Sequence, residues 1–484
     1  MKYLILLVLI LSPLINSEAQ SSHFWTRNYG SESMLLSGSV IGGVSDLGAV
    51  YYNPARLALT KNPAFIISAD VYELNSYKIE DAVGNRADLK TNSFGGAPSL
   101  AAGSYKIKKW PKHHFAYAVL LRHNNNLGFT YREEVLADIF PNIPGEELFE
   151  GEVTVENNSR EEWFGGSWAY RIKENLSVGV SLFATKSQVG KGTNYSLRAL
   201  TSQGEVAIYD YRRNYGLDSY GLLAKFGIAY SKEKLDYGLT ITTPRLHILG
   251  DASYNYQFYF STPSASTMKD IYANNYQNDI NIKLRSPLSI GVGTSYSYGK
   301  DKKIHLSAEY FHKVNQYNIF EIEPHTMQSR PDSVISFRLV DAYRSILNVG
   351  IGAEWYLSDK VRLYGSFSTD FSAAPKDGVG FMNQRPVASN SAINANYFHA
   401  AAGVLLSFKG ADFTLGATHT GGKTDFSRPV NIPDENNTGP IVNTEDTGNL
   451  RWDRWQFIVS FSVPFLKDYA KKLENKLLNN DDSN

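Results

Sequence analysis

"WQFIVSFSVPF", residues 455–465, carries the pattern that decides the fold: Trp455, Phe457, Val459, Phe461, Val463 and Phe465 fall on one face of an extended chain. Successive strand side chains point to opposite faces, so a period of two reads as a strand with one apolar side. The pattern recurs upstream. "LSVGVSLFA" aligns Leu176, Val178, Val180, Leu182 and Ala184 against Ser177, Gly179 and Ser181. "PLSIGVGTSYSYG" opposes Leu288, Ile290, Val292, Thr294, Tyr296 and Tyr298 to Ser289, Gly291, Gly293, Ser295 and Ser297. A soluble sandwich also alternates. Yet segments such as Tyr215–Ser231 and Tyr343–Leu357 exceed the usual strand of about 5–6 residues. Aromatics also gather toward segment ends, as in Trp168 with Tyr170, Tyr296 with Tyr298, Trp355 with Tyr356, and Trp452 with Trp455. Rings at both ends of an apolar band mark the interfaces of an outer-membrane barrel. The fold class read here is all-β: a transmembrane antiparallel β-barrel.

The connections set the expected topology. Short polar turns, mostly Lys-bearing, stand at 108–112, 173–175, 231–234, 299–303, 358–360 and 409–412. Longer stretches lie near 75–97, 134–157, 190–214, 246–284, 315–342, 372–395 and 421–452 and are read as loops. Their alternation predicts about 14 strands, with short turns and both termini in the periplasm and long loops outside. Lipid offers no partner to backbone groups, so the last strand is expected to pair with the first, near "AFIISADVYE" (64–73).

Four regions follow. Residues 1–19 read as a signal peptide, with Lys2, an apolar run from Tyr3 to Ile15, and Ser17-Glu18-Ala19 as the cleavage site. The run is shorter than the ~20 apolar residues a spanning helix needs. Residues 20–62 form a non-alternating segment expected as a plug inside the lumen, and 63–465 form the barrel. Residues 466–484 place Leu466, Tyr469, Ala470, Leu473 and Leu477 at helical spacing, an amphipathic periplasmic tail that docks or stays solvated. Composition narrows the function. Lys+Arg and Asp+Glu both number 48, giving no net field for nucleic acid. The chain has no cysteine, which removes disulfides and thiol chemistry.

Within the leading segment, "GAVYYNPARLAL" follows a Gly- and Ser-rich run. Asn53 before Pro54 is a helix start: the side chain caps, and Pro in the first helical position loses no hydrogen bond. This stretch resembles the start of the FadL/TodX family of outer-membrane transport proteins, whose N-terminal hatch carries an Asn-Pro-Ala signature. Asn53, Pro54 and Ala55 match it. The long tail after Phe465 departs from the family pattern of a chain ending at its last barrel residue.

The resemblance implies passive uptake of hydrophobic compounds, either long-chain fatty acids or small aromatic hydrocarbons. The route runs through a lumen pocket gated by the hatch, often with a sideways exit through the wall. Tyr51 and Tyr52 are expected to line the plug. Expected partners are outer-membrane lipid and a greasy small molecule, with no cofactor and no metal; the oligomeric state stays open, a monomer included. The alternative is a barrel component of a protein secretion system that binds exported cargo.

Enzymatic chemistry finds no motif. Neither H-E-x-x-H nor G-x-S-x-G occurs, and His113 and His114, adjacent on a strand, diverge to opposite faces. The acidic stretch 134–157, with interspersed Leu, Ile and Phe, is expected either to cover the outer mouth or to be an ordinary solvated loop.

Overall fold

A computed structural model describes residues 22–59, 65–85, 87–96, 98–107, 109–266, 268–299, 301–375, 384–390, 394–408, 411–428, 430–433, 441–442 and 446–463, with backbone alone for 65–71 and 462–463. The expected signal peptide, Phe465 and the tail at 466–484 lie outside the described residues.

The strands, in chain order, begin with β1 (Phe65–Glu80), β2 (Leu89–Gly95), β3 (Pro98–Tyr105), β4 (His113–Ala137), β5 (Glu147–Lys173), β6 (Leu176–Leu200) and β7 (Val206–Lys232). Next come β8 (Leu235–Thr242), β9 (Leu246–Ser261), β10 (Ile271–Asn281), β11 (Ser289–Tyr298), β12 (Lys302–Phe311), β13 (Val314–Glu321), β14 (His325–Met327) and β15 (Arg330–Ile335). The last are β16 (Arg338–Tyr343), β17 (Ile346–Ser358), β18 (Val361–Asp370), β19 (Val387–Ser389), β20 (Tyr397–Phe408), β21 (Ala411–Ser427) and β22 (Thr447–Val463). Antiparallel pairing runs from β1 through β3, β4, β5, β6, β7 and β8. From β8 it continues through β11, β12, β17, β18, β20 and β21 to β22. As expected, β22 pairs with β1, from Phe65↔Val463 to Glu80↔Asn449. The six short turns each join consecutive strands of this series.

Side-chain exposure is the reverse of a soluble protein's. Leu182 (61%), Val292 (50%) and Phe457 (50%) are exposed, whereas Ser177, Ser181 and Ser295 on the alternate face are fully buried. Apolar atoms outside and small polar ones inside is the arrangement a hydrocarbon solvent selects.

The long stretches depart from expectation. Most of 134–157 and 190–214 is strand: β4 pairs with β5 out to Ala137↔Glu147, and β6 with β7 out to Leu200↔Val206. Along β5 the outward row runs from Trp168 and Phe164 to Arg160, Glu156 and Glu152, while the inward row becomes Val155, Val153 and Phe149. The period of two therefore persists through a change of solvent. Near Glu162 the outer face passes from apolar to charged, and the sheet continues with an apolar inside and a polar outside, as a water-soluble sheet does. Hairpin β9–β10 extends the same rim, paired to β7 from Ile208↔Ser261 to Leu222↔Leu246.

Two features of this rim position the site. First, β19 pairs in parallel with β16, which pairs with β13. From there residues 384–390 reach β6 and β7: Tyr209 Oη donates to Gln384 Oε1 (2.5 Å), Arg213 to the Arg385 carbonyl (2.8 Å), and Lys191 to the Asn390 carbonyl. This strap starts between β18 and β20 and ties to strands several pairings away in either direction, so it crosses the mouth. The stretch 134–157, by contrast, forms a hairpin in the rim.

Second, the wall is interrupted. β3 pairs with β4 only from Leu100↔Leu120 to Tyr105↔Phe115, and β2 pairs with β1 alone. Among the described residues, β4 beyond Leu120 has a strand partner on one side only, β5, with a bulge at Arg122.

The N-terminal segment, residues 22–59, is buried almost throughout. It contains α1 (Glu32–Leu35), α2 (Ala49–Tyr52) and a 3-10 turn at Pro54–Ala58. Its first described residue lies away from the short turns. Ser22 O accepts from Ala373 N (2.7 Å), beyond the end of β18 that lies away from those turns. Asp370 holds this stretch there, accepting from Phe24 N (3.0 Å), Trp25 N (3.1 Å) and Thr26 Oγ1 (2.8 Å). The reason is burial: Phe24 stacks on Phe311 and His23 on Tyr397, aromatic partners found at that end.

Candidate functional site

Asn53 is fully buried with an extended backbone, and its side chain accepts from Ala55 N (3.1 Å), the cap read from the sequence. The same amide donates to Ile41 O (3.0 Å) and to Ile228 O of β7 (3.1 Å), so one side chain joins the turn, the rest of the segment and the wall. Ala55 O accepts from Ser177 Oγ (2.8 Å), and Val50 O from Ser181 Oγ (2.7 Å). Between these serines, a Cβ on Gly179 would come within 2.6 Å of Ala55 N, and one on Gly227 would overlap Asn53 Oδ1. The small-residue face noted on β6 is thus the seat for Asn53-Pro54-Ala55, where only glycine lets two backbones approach so closely.

A second node is Asp46. Its buried carboxylate accepts from Glu32 N (2.8 Å), Ser33 N (3.0 Å), Ser33 Oγ (3.0 Å) and Gly48 N (2.8 Å), collecting the free N–H groups that open α1 and α2. Gly30, at φ +96°, lies against it. Ion pairs then fasten the segment to the wall: Arg27 to Glu73 (2.9 Å), Arg56 to Asp236 (3.2 Å) and Glu32 to Arg362 (3.4 Å).

The two tyrosines separate in role. Tyr52 points into the segment, accepting from Tyr29 N (3.0 Å) and donating to Asn28 Oδ1 (3.3 Å). Tyr51 lines a chamber of about 60 Å³ with Phe24, Trp163, Leu223 and Phe311. Arg122, at the β4 bulge, lies 5.1 Å from the Tyr51 ring and 5.0 Å from Trp163, and Lys225 Nζ lies 4.7 Å from Tyr51. Greasy walls with cations over the rings make this chamber amphipathic, and its Arg122 corner adjoins the interrupted wall. His23 and Glu161 also line a second chamber of about 100 Å³, on the mouth side, which is more polar than the first. Its lining includes Asp341, and burial pushes that carboxyl up to about 6 although the Tyr343 hydroxyl, Ala342 N–H and Lys191 pull it down.

A hydrogen-bonded series not singled out in the sequence runs Ser295 Oγ to His305 Nδ1 (2.7 Å) and His305 Nε2 to Glu354 (2.5 Å). It has the residue types of a hydrolase triad, but all three are buried and the segment's Gly43 sits on Ser295. No substrate reaches that hydroxyl while the segment is in place. His113 and His114 diverge as expected: His113 accepts from Trp168 Nε1 (3.0 Å) on the exposed side, and His114 is buried. Arg122, Trp163 and Asp46 lack a motif in the sequence; only the fold brings them to the segment.

No family model matches the sequence, and no curated protein matches it. Solved structures do. A FadL homologue of Pseudomonas aeruginosa is 10% identical, with 92% of this chain and 100% of that chain covered at a TM-score of 0.55. The toluene transporter TodX of Pseudomonas putida is 12% identical over 90% of this chain and 99% of its own, at 0.54. The toluene transporter TbuX of Ralstonia pickettii is 14% identical over 90% and 98%, at 0.51. At such identities the likeness is one of fold, and the fold is the FadL/TodX type that the Asn-Pro-Ala resemblance implied.

Proposed function

We propose that this chain is an outer-membrane channel for passive uptake of hydrophobic compounds, long-chain fatty acids or small aromatic hydrocarbons. Residues 22–59 act as the plug of a barrel of about 14 strands whose short turns face the periplasm. The observation that carries the reading is the Tyr51 chamber: aromatic, floored by the segment, and cornered by Arg122 where β4 loses its β3 partner. The toluene transporters share this fold, which supports the substrate class.

Transfer from water gains roughly 0.8 kcal/mol per buried CH₂, or about 12 kcal/mol for ~16 carbons before immobilisation costs. Such a site captures readily and releases poorly unless the destination is also apolar. The unpaired stretch between β2–β3 and β4 offers a sideways route into lipid, so no coupled energy source is needed. The cargo-binding alternative has no observation of its own in its favour.

The test is uptake of labelled fatty acids and alkylbenzenes by vesicles holding the purified chain. Accumulation above empty vesicles is expected; none for any ligand would remove transport.

A further inference from the structure

The mouth-side chamber is built differently from the Tyr51 chamber, and hydrocarbon transport does not account for it. It is enclosed by the leading residues 22–27, by β1, β4, β5, β6 and β22, and by the strap with Asp341 and Tyr343. Four of its cations already have partners. Arg27 pairs with Glu73 at 2.9 Å and Arg160 pairs with Glu162. Arg454 donates to the Thr26 carbonyl and to Thr420 Oγ1 (3.2 Å), while Lys191 donates to the Asn390 carbonyl. An anionic ligand would have to break the buried Arg27–Glu73 pair or displace the carbonyls that Arg454 and Lys191 hold, which offsets its advantage.

Neutral amides remain. Asn125, Asn157 and Asn390 line the cavity, Asn125 already accepting from Tyr77 Oη (2.6 Å). Asn157 is buried (2% exposed) on the inward row of β5, and its side chain makes no hydrogen bond among the described residues. Asn390 Oδ1 is buried without a partner. Native structures satisfy nearly all such groups, so unsatisfied amides around a cavity point to something that occupies it. Beside the amides stands an aromatic wall, with Trp452 stacked on Tyr77 (6.2 Å, 17°) and met edge-on by Tyr397 (4.7 Å).

An amide both donates and accepts, as a hydroxyl does. A ring face accepts the weakly polar C–H side of a polyol. We infer that this chamber binds a neutral polyhydroxylated molecule, a saccharide, at a site separate from the hydrocarbon route. The sugar comes either free from the medium or as the head of a glycolipid. Tyr77 Oη donates to Asn125 Oδ1 (2.6 Å) across the interrupted wall, so the chamber adjoins the place where a lipid head would approach from the outer leaflet.

The test uses the full chain in a detergent without a sugar head, titrated calorimetrically with maltose, N-acetylglucosamine and inorganic phosphate, and in nanodiscs with and without a galactosyl diacylglycerol. At least one sugar probe is expected to bind, phosphate is not, and Asn157→Leu is expected to weaken the sugar at least tenfold. Asn390→Ala, in the strap and not in a wall strand, gives a second reading of the same loss if the Asn157 variant fails to fold. Binding of maltose or N-acetylglucosamine identifies a free saccharide; binding of the galactolipid alone identifies a lipid head. No heat from any sugar probe, phosphate binding in place of sugar, or sugar affinity unchanged in both variants would overturn the inference. Alkylbenzene uptake, measured on the same preparations, is expected to be unchanged by either variant and so reports on transport separately.

Discussion

At the scale of single residues, the account turns on Asn53 and the glycines beneath it. Removing the Asn53 amide deletes a cap, worth about 1 kcal/mol, and strips donors from Ile41 O and Ile228 O, each costing roughly 1–3 kcal/mol if left unpaired. Asn53→Ala should therefore speed hydrogen exchange over 41–58 while leaving the heat-resistant gel mobility of the barrel intact. Loss of assembled barrel would instead assign Asn53 to folding. Gly227→Val lies outside the segment yet should produce the same loosening, because its side chain would occupy the place of Asn53 Oδ1. Since both changes act at one contact, their effects should fall short of additive in a double-mutant cycle; simple addition would show that they act separately. Asn53 and Pro54 were legible from the sequence because capping is local. Gly179 and Gly227 were not legible as a seat, since their role depends on which segment lies over them.

At the scale of elements, strands were read correctly where the outside solvent is lipid and misread where it is water. In "EVTVENNSREEW" the inward Val153 and Val155 and the outward Glu152, Glu156 and Arg160 keep the period of two, but their phase is opposite to that of Phe164 and Trp168. A reading that expects apolar residues on the same face throughout takes the change for a loop. The strap was invisible for another reason: Gln384, Arg385 and Asn390 hold it through long-range contacts, including two backbone carbonyls, that leave no sequence pattern.

Two predictions belong to elements. Asp341 anchors β16 with a carboxyl held at about 6, above its unfolded value, so it stabilises the rim while protonated and loses that effect as pH rises through about 6. The change is on the order of 3 kcal/mol. Hydrogen exchange of 338–343 and 387–389, corrected for intrinsic rates, should be slower at pH 5 than at pH 7.5, and Asp341→Asn should abolish the difference. Equal protection at both values would contradict the assignment. The interrupted wall gives the second: Gly95→Cys with His123→Cys, bridged by a flexible bismaleimide, should slow hydrocarbon uptake if molecules leave between β2 and β4. An unchanged rate would place the exit elsewhere.

At the scale of the whole molecule, apolar atoms face outward, a buried N-terminal segment contacts the wall through glycine, serine and ion pairs, and an aromatic chamber lies on that segment. Apolar contacts stand beside the polar ones, with Phe24 stacked on Phe311 and Leu35 packed among wall residues. The lack of cysteine makes this directly testable. Ser37 Oγ and Ser366 Oγ stand 2.8 Å apart, one on the segment and one on β18, so the pair Ser37→Cys and Ser366→Cys is placed to form a reversible bond between them. The decisive measurement is uptake of a labelled fatty acid or alkylbenzene by vesicles holding this variant, oxidised and then reduced. The account predicts uptake at the empty-vesicle level when oxidised and recovery to the wild-type rate on reduction. Equal uptake in both states, or none above empty vesicles in either while the wild type transports, would contradict it.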